Sequence, residues 1–300
     1  LNALIEKIKY ERQIAITSIG LDGEEIDQLT RLPKPRITVY PDMLVVTSRL
    51  CLKDLDDFYQ ELETLPIRTP LGEIVIAKII KSTKILVAGP SLYDDMLTVK
   101  KNLKKYGIDL FLVDGAFSRQ YNLLATEVFV FCVGASRFRT VDDLYENTKT
   151  QLYRFFMEKT SESISGCIPI FLSGWVLEGC KFQVVEEDLD LFDEERIPSN
   201  AKYAFVSHSF TTRMARMWLT LEKPIGVILN SPMSLQADLH IVSSMCKKNM
   251  EIYCIHPLKP VAICINPTSP YHSGFETAEI QEKLQKLSDL PIINIEKEGA

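Results

Sequence analysis

The sequence predicts an α/β protein built on a largely parallel sheet. Strand-sized apolar runs recur from end to end, amphipathic helical patterns separate them, and the most hydrophobic run, Asp109 to Asp114 (DLFLVD), lacks the polar alternation of a half-exposed strand. With 300 residues, 46% hydrophobic and 25% charged, the chain can form one large domain or two modest ones. A division is expected near residue 160, giving regions 1–160 and 161–300. No linker marks it, which leaves open one sheet continuous across both regions.

The chain opens with Leu1 rather than Met and is already inside a helical pattern, with Leu1, Leu4, Ile5 and Ile8 on one face, so residues upstream are expected. Gln13 to Ile19 follows as a strand. Arg36 to Tyr40 with Met43 to Thr47, and Glu73 to Ile80 with Lys84 to Ala88, read as two hairpins turned at Pro41-Asp42 and Ser82-Thr83. Between them, Leu55, Phe58, Tyr59 and Leu62 share a helical face within Lys53 to Leu65. Tyr93 to Tyr106 is a second helix, closed by Gly107 where a left-handed cap is expected. Asp109 to Asp114 and Val128 to Val133 read as buried central strands, and Val141 to Lys159 as a long helix.

The second region opens with the strand Gly166 to Leu172. An acidic stretch, Glu186 to Glu195, reads as a solvated loop or helix face. Strands at Tyr203 to Val206, Ile225 to Leu229, Pro260 to Ile265 and Leu290 to Ile295 then alternate with helices at Thr211 to Leu221, Ser234 to Asn249 and Ala278 to Leu287. No internal repeat is visible.

Composition excludes several classes of function. Lys and Arg total 34 against 40 Asp and Glu, a formal net charge of -6, so the cationic excess used by most phosphate-backbone binders is missing and nucleic acid is not an expected partner. No apolar run approaches the roughly 18 to 20 residues that a membrane-spanning helix needs. The 7 cysteines show no C-x-x-C spacing and most lie in apolar strand-like runs, the usage of a reducing cytoplasm.

Chemistry is expected at two places. Asp114 ends an apolar strand at the carboxyl edge of a parallel sheet, an arrangement by which nucleotide hydrolases hold Mg²⁺; an Asp that merely caps the strand is the rival reading. Gly115 follows it, and Arg119 is close enough in sequence to neutralise phosphate charge or, equally, to cap the next helix. The other place is ITSIGLDGEEID, where a short strand ends at Gly20 and delivers Asp22, Glu24, Glu25 and Asp27 in one loop. Carboxylates so close repel one another unless a cation or the donors of a helix start meet them.

The order helix, strand with acidic loop, Asp-terminated strand matches a P-loop NTPase-like sheet flanked by helices, with hairpin insertions and a second α/β half. The phosphate-binding G-x-x-x-x-G-K-[ST] loop itself is absent from the residues at hand. TSIGLDGEEID at 17–27, KPRI at 34–37, TPLGEIVIAKI at 69–79, VAGPSLYDDM at 87–96 and LVDGAFSR at 112–119 resemble the KamB-type subunit of lysine 5,6-aminomutase reactivase. PVAICINPTSP at 260–270 extends the likeness to the family's closing strand.

The resemblance implies a P-loop ATPase that uses ATP and Mg²⁺. With a MutS-like partner subunit it would open an adenosylcobalamin-dependent aminomutase of lysine fermentation and exchange damaged cobalamin for intact cofactor. Asp114 would be the Walker B acid, and Asp22 with Glu24 the acidic loop facing Mg²⁺ or the attacking water. The candidate assignments are therefore Asp114 and Glu24 as catalytic, Asp22, Gly115 and Arg119 in contact with nucleotide, and Asp114 and Asp22 on the metal. The Walker A lysine and hydroxyl are not among these residues and go unassigned, with upstream residues expected to supply them.

Other constellations are weaker. Cys254, His256 and Cys264 lack the loop geometry of a zinc site, and His208, His240 and His272 are scattered. Ser173-Gly174-Trp175 and Ser207-His208-Ser209 follow strands without a G-x-S-x-G elbow. Gly89-Pro90-Ser91 reads as a turn rather than a phosphate cradle. Two further functions fit the same residues: a P-loop kinase acting on a small molecule or polynucleotide end, and a non-catalytic interaction module on a degenerate P-loop scaffold.

Overall fold

A computed structural model describes residues 1–20, 36–115, 123–160, 167–170, 202–206 and 208–294. The chain divides into two compact units, Leu1–Thr126 and Glu127–Lys297. Both are mixed α/β and each has its own sheets.

The first unit runs α1 (Asn2–Ile8), β1 (Ile14–Ser18), β2 (Ile37–Val39), β3 (Leu44–Ser48), β4 (Tyr59–Thr69), β5 (Gly72–Ile79), β6 (Thr83–Ile85), α2 (Tyr93–Leu103) and β7 (Leu110–Asp114). Its main sheet has the order β4-β5-β3-β1-β7. β1 is parallel to β3 and to β7, whereas β5 is antiparallel to both β3 and β4. The sheet is therefore mixed rather than largely parallel. All five residues of β1 and of β3 are buried, because apolar clusters cover both faces. Ile14, Ile16 and Val45 pack with Ile5 of α1 on one side, while Ala15, Leu44 and Val46 pack with Val99 and Leu103 of α2 on the other. Full burial of one such Ile or Val contributes about 1.5–3 kcal/mol, so this two-sided cover makes β1 and β3 the rigid centre of the unit. Asn2 fixes α1 to β2: its side chain donates to the Arg36 carbonyl at 3.2 Å and accepts from the Thr38 N–H at 3.0 Å.

Three expectations are corrected here. Lys53 to Leu65 is not a helix; after a 3₁₀ turn at Arg49–Leu52 the chain becomes β4. Pro66 disfavours helical backbone at Leu65 before it, and Leu65 and Ile67 are buried with the period of a strand. Pro66 lies on the edge strand, between Thr64 and Arg68 where the register is irregular and no ladder donor is lost. Neither expected hairpin forms: β2 pairs with β6, and β3 pairs with β5, so the true hairpin is β4–β5. β7 is an edge strand of partly buried residues instead of a buried central one. The remaining elements lie close to where periodicity puts them, including the left-handed Gly107 (φ 64°) that closes the 3₁₀ turn after α2.

The second unit runs β8 (Phe129–Gly134), α3 (Val141–Phe155), β9 (Cys167–Ile170), β10 (Tyr203–Val206), β11 (Phe210–Thr211), α4 (Thr212–Trp218), β12 (Gly226–Leu229), β13 (Leu235–Gln236), α5 (Leu239–Lys247), β14 (Ile252–Cys254), β15 (Pro260–Asn266), α6 (Thr277–Gln285) and β16 (Ile292–Asn294). Among the described residues every strand pair in it is parallel, in sheets of order β14-β12-β10-β9 and β16-β15-β8 with a short β11-β13 pair. β8 is also an edge strand, with Val130 and Cys132 exposed, which corrects its reading as a buried central strand. The helix expected over Ser234 to Asn249 is shorter, because Leu235 and Gln236 pair with β11 before α5 begins.

Trp218 centres the larger core, stacked edge-on against Phe210 and donating its indole N–H to the Ile225 carbonyl at 2.8 Å. A capping box starts α3: the Thr140 hydroxyl accepts from the Asp143 N–H at 3.1 Å and the Asp143 carboxylate accepts from the Thr140 N–H at 3.2 Å. No helix among the described residues is long and apolar enough to cross a membrane.

Candidate functional site

β1, β3 and β7 all point their carboxyl ends to one edge of the first sheet, where ligands of open α/β sheets bind. Asp114 is the last residue of β7, directly opposite Ser18 of β1, and its carbonyl accepts from the Ile19 N–H at 2.8 Å. The exit of β1 at Gly20 is thereby tied to Asp114, and in the sequence the first acid of the acidic run, Asp22, follows two residues later.

The Asp114 side chain reaches solvent, but the protein crowded around its base desolvates the carboxyl and pushes its pKa above the ordinary carboxylate range. Gly115 is exposed, and a Cβ there would lie 3.2 Å from the Ile19 Cδ1, so its small size serves packing against the β1 exit. Asp22, Glu24, Glu25, Asp27 and Arg119 lie outside the described residues, as do the acidic stretch 186–195, Ser173-Gly174-Trp175 and Ser207.

Sequence reasoning missed the polar seam that builds this edge. β1 and β3 end alike, in Thr17-Ser18 and Thr47-Ser48, and all four side chains are buried. They bind the segment Val87-Ala88-Gly89, which crosses the strand ends. Ser18 Oγ donates to the Val87 carbonyl at 2.7 Å and accepts from the Gly89 N–H at 3.1 Å. Thr47 Oγ1 accepts from the Ala88 N–H at 2.9 Å, and the Ser48 N–H donates to the Ala88 carbonyl at 2.8 Å. Thr17 Oγ1 donates to the Val46 carbonyl at 2.7 Å, joining the two strands, and Ser48 Oγ lies 2.6 Å from Thr69 Oγ1. A Cβ on Gly89 would stand 2.0 Å from the Ser18 carbonyl oxygen and 2.3 Å from Thr17 Oγ1, so only glycine lets the segment lie this close. The Gly20 N–H donates to the Pro90 carbonyl at 3.0 Å and completes the tie to the β1 exit. The repeated apolar-Thr-Ser ending of the two strands was the signal available in the sequence.

The seam also defines what the edge can do chemically. Three of its hydroxyls are committed to backbone and the fourth, Ser48 Oγ, to Thr69 Oγ1, so they hold the edge in shape. Arg49, one residue past β3, is likewise engaged: it forms an ion pair with Glu61 and donates to Thr64 Oγ1 at 2.9 Å. Asp114 is the acid that ends one of the three parallel strands at this edge. One carboxylate with waters fits the way Mg²⁺ binds, since that ion keeps much of its hydration shell. Among the described residues no three His, Cys, Asp or Glu side chains gather as a metal cluster.

Two of the weaker sequence candidates have structural partners. His272 accepts from the Gly274 N–H at 3.1 Å and lies 3.1 Å from the Ala135 carbonyl, and the buried Cys254 donates to the carbonyls of Met157 and Glu158. Compared with protein-family models, curated proteins and solved structures, the chain matches none.

Proposed function

We propose that the chain is the nucleotide-handling subunit of an ATP-dependent reactivating chaperone on a P-loop-type scaffold. It would serve, in the cytoplasm and with a MutS-like partner, an adenosylcobalamin-dependent lysine aminomutase. The observation that carries the reading is Asp114: an acid at the carboxyl end of a parallel strand, registered against the β1 exit that precedes Asp22 and Glu24 in the sequence.

Mg²⁺-ATP supplies the transferable phosphoryl group when bound. The chain contributes a carboxylate at Asp114, a β1 exit held by Ser18 and Pro90, and an edge kept rigid by the Thr-Ser seam. Engagement of the hydroxyls at that edge favours one rival, the interaction module without catalysis.

The test is Asp114→Asn in the full-length protein. Loss of Mg-dependent ATPase activity with an unchanged circular dichroism spectrum is expected. Activity equal to wild type in the folded variant refutes the role of Asp114, and no rise in melting temperature of the wild type with Mg-ATP selects the interaction module.

A further inference from the structure

Two cysteines stand side by side on the three-stranded sheet of the second unit. β8 and β15 are parallel, with Val130 opposite Ala262, Phe131 opposite Ile263 and Cys132 opposite Cys264. Side chains alternate along a strand, which assigns the two faces. Phe129 and Phe131 meet Phe155 of α3 edge-on, with ring centroids 4.9 and 5.0 Å apart, so they mark the helix-covered face. Cys132 and Cys264 therefore share the opposite one. Cys132 is exposed, Cys264 is half-buried, and neither is in a disulfide.

Neighbouring strands lie about 4.7–4.9 Å apart, within the roughly 4.4–6.8 Å between Cα atoms that a disulfide spans. Register partners also project in the same direction, so rotation about χ1 brings the two sulfurs together. The other described cysteines lack this arrangement. Cys254 is buried with its thiol pushed up to about 12 by desolvation, and Cys51 is half-buried with its thiol raised for the same reason. Cys246 stands on α5, its sulfur 4.0 Å from the Tyr153 hydroxyl.

We propose that Cys132 and Cys264 form a dithiol that a small-molecule disulfide of the glutathione type oxidises to an intramolecular bond across β8 and β15. The accessible Cys132 thiolate attacks one sulfur of the small disulfide, whose S–S bond breaks and releases one thiolate, which takes up a proton. The Cys264 thiolate then attacks the Cys132 sulfur of the mixed disulfide and expels the second. Two protein thiols are oxidised, and one small disulfide is reduced to two thiols.

The test uses the full-length reduced protein at low micromolar concentration with oxidised glutathione, read by non-reducing peptide mapping. The expected product is a linked pair of peptides containing Cys132 and Cys264, two hydrogens lighter than their sum and separated again by dithiothreitol. Cys264→Ser should stop at a glutathione adduct on Cys132, and Cys132→Ser should give no link. A wild-type protein that holds a stable adduct on Cys132 without the link, or that leaves both thiols unmodified, overturns the proposal. So does a link found only between two chains.

Discussion

Replacing Gly89 by alanine should be among the most damaging single changes in the first unit. The added Cβ would stand 2.0 Å from the Ser18 carbonyl oxygen and 2.3 Å from Thr17 Oγ1, and both atoms belong to β1, which is buried on both faces. Neither neighbour can yield, so the 87–90 segment must lift by about 1 Å, and overpacking of this kind costs about 1–3 kcal/mol. Lifting also stretches the bonds from the Gly89 N–H to Ser18 Oγ, from Ser18 Oγ to the Val87 carbonyl and from the Ala88 N–H to Thr47 Oγ1. Losing two of these adds about 1 kcal/mol each, for a total near 3–5 kcal/mol, a large share of the roughly 5–15 kcal/mol that holds a domain folded.

Urea denaturation followed by far-ultraviolet circular dichroism measures the loss, and hydrogen exchange across 14–18 and 44–48 locates it. Both tryptophans belong to the other unit, so their fluorescence should keep its midpoint. Gly107→Ala is the control: that glycine has φ 64° but nothing within 4 Å of a new Cβ, so it should cost only about 1 kcal/mol for the left-handed backbone. If Gly89→Ala costs no more than Gly107→Ala, the close-approach argument is wrong.

Other consequences are equally direct. Because burial raises the folded-state pKa of Asp114, the folded protein keeps this proton while the unfolded chain loses it, so the residue subtracts stability as pH rises through and just above the ordinary carboxylate range. Asp114→Asn should therefore gain melting temperature relative to wild type between pH 3 and pH 7; a constant difference refutes the desolvation. Ser18→Ala leaves the Val87 carbonyl and the Gly89 N–H without their shared partner and should cost about 2 kcal/mol, whereas Ser18→Cys should recover little because sulfur is a weak donor; urea midpoints decide. Trp218→Phe removes the bond to the Ile225 carbonyl and opens space in the larger core of the second unit. A loss of about 2–3 kcal/mol in that unit's unfolding transition is expected, and one below 1 kcal/mol counts against it. Thr140→Ala should cost about 1 kcal/mol through the capping box of α3, read from the same transition.

Where local pattern and burial agree, the fold was legible. α2 and α6 bury the apolar stripe their spacing advertises, whereas α1 buries only Ile5 of its stripe and leaves Leu1 and Leu4 exposed; β1, β10, β12 and β15 coincide with apolar runs. Pairing was not legible, because it depends on which strands meet and not on what each contains. Short segments around Pro41-Asp42 and Ser82-Thr83 look like hairpin turns, yet β2 and β6 find each other across the whole β3–β5 stretch. At Lys53 to Leu65 a helical spacing of four apolar residues competed with the strand period of Leu65 and Ile67, and Pro66 with the edge position decided it. At the candidate site, Asp114 was visible as the end of an apolar run. The seam was not, since Thr and Ser in strands are common and only the approach of Gly89 from a distant segment gives them a shared purpose.

The pairing of β8 with β15 bears on how the protein is made. The main sheet of the first unit, β4-β5-β3-β1-β7, is built entirely from residues before Thr126 and can consolidate while the ribosome is still translating the rest. In the second unit, residues 129–134 wait for residues 260–266, so β8 emerges early with Val128 and Val130 uncovered and no partner for its backbone on the β15 side. Closing so long a loop is slow, and an unpaired apolar strand is the kind of edge that other nascent chains capture. Expression yield should thus depend more on how quickly this C-terminal strand arrives than on the stability of the finished fold.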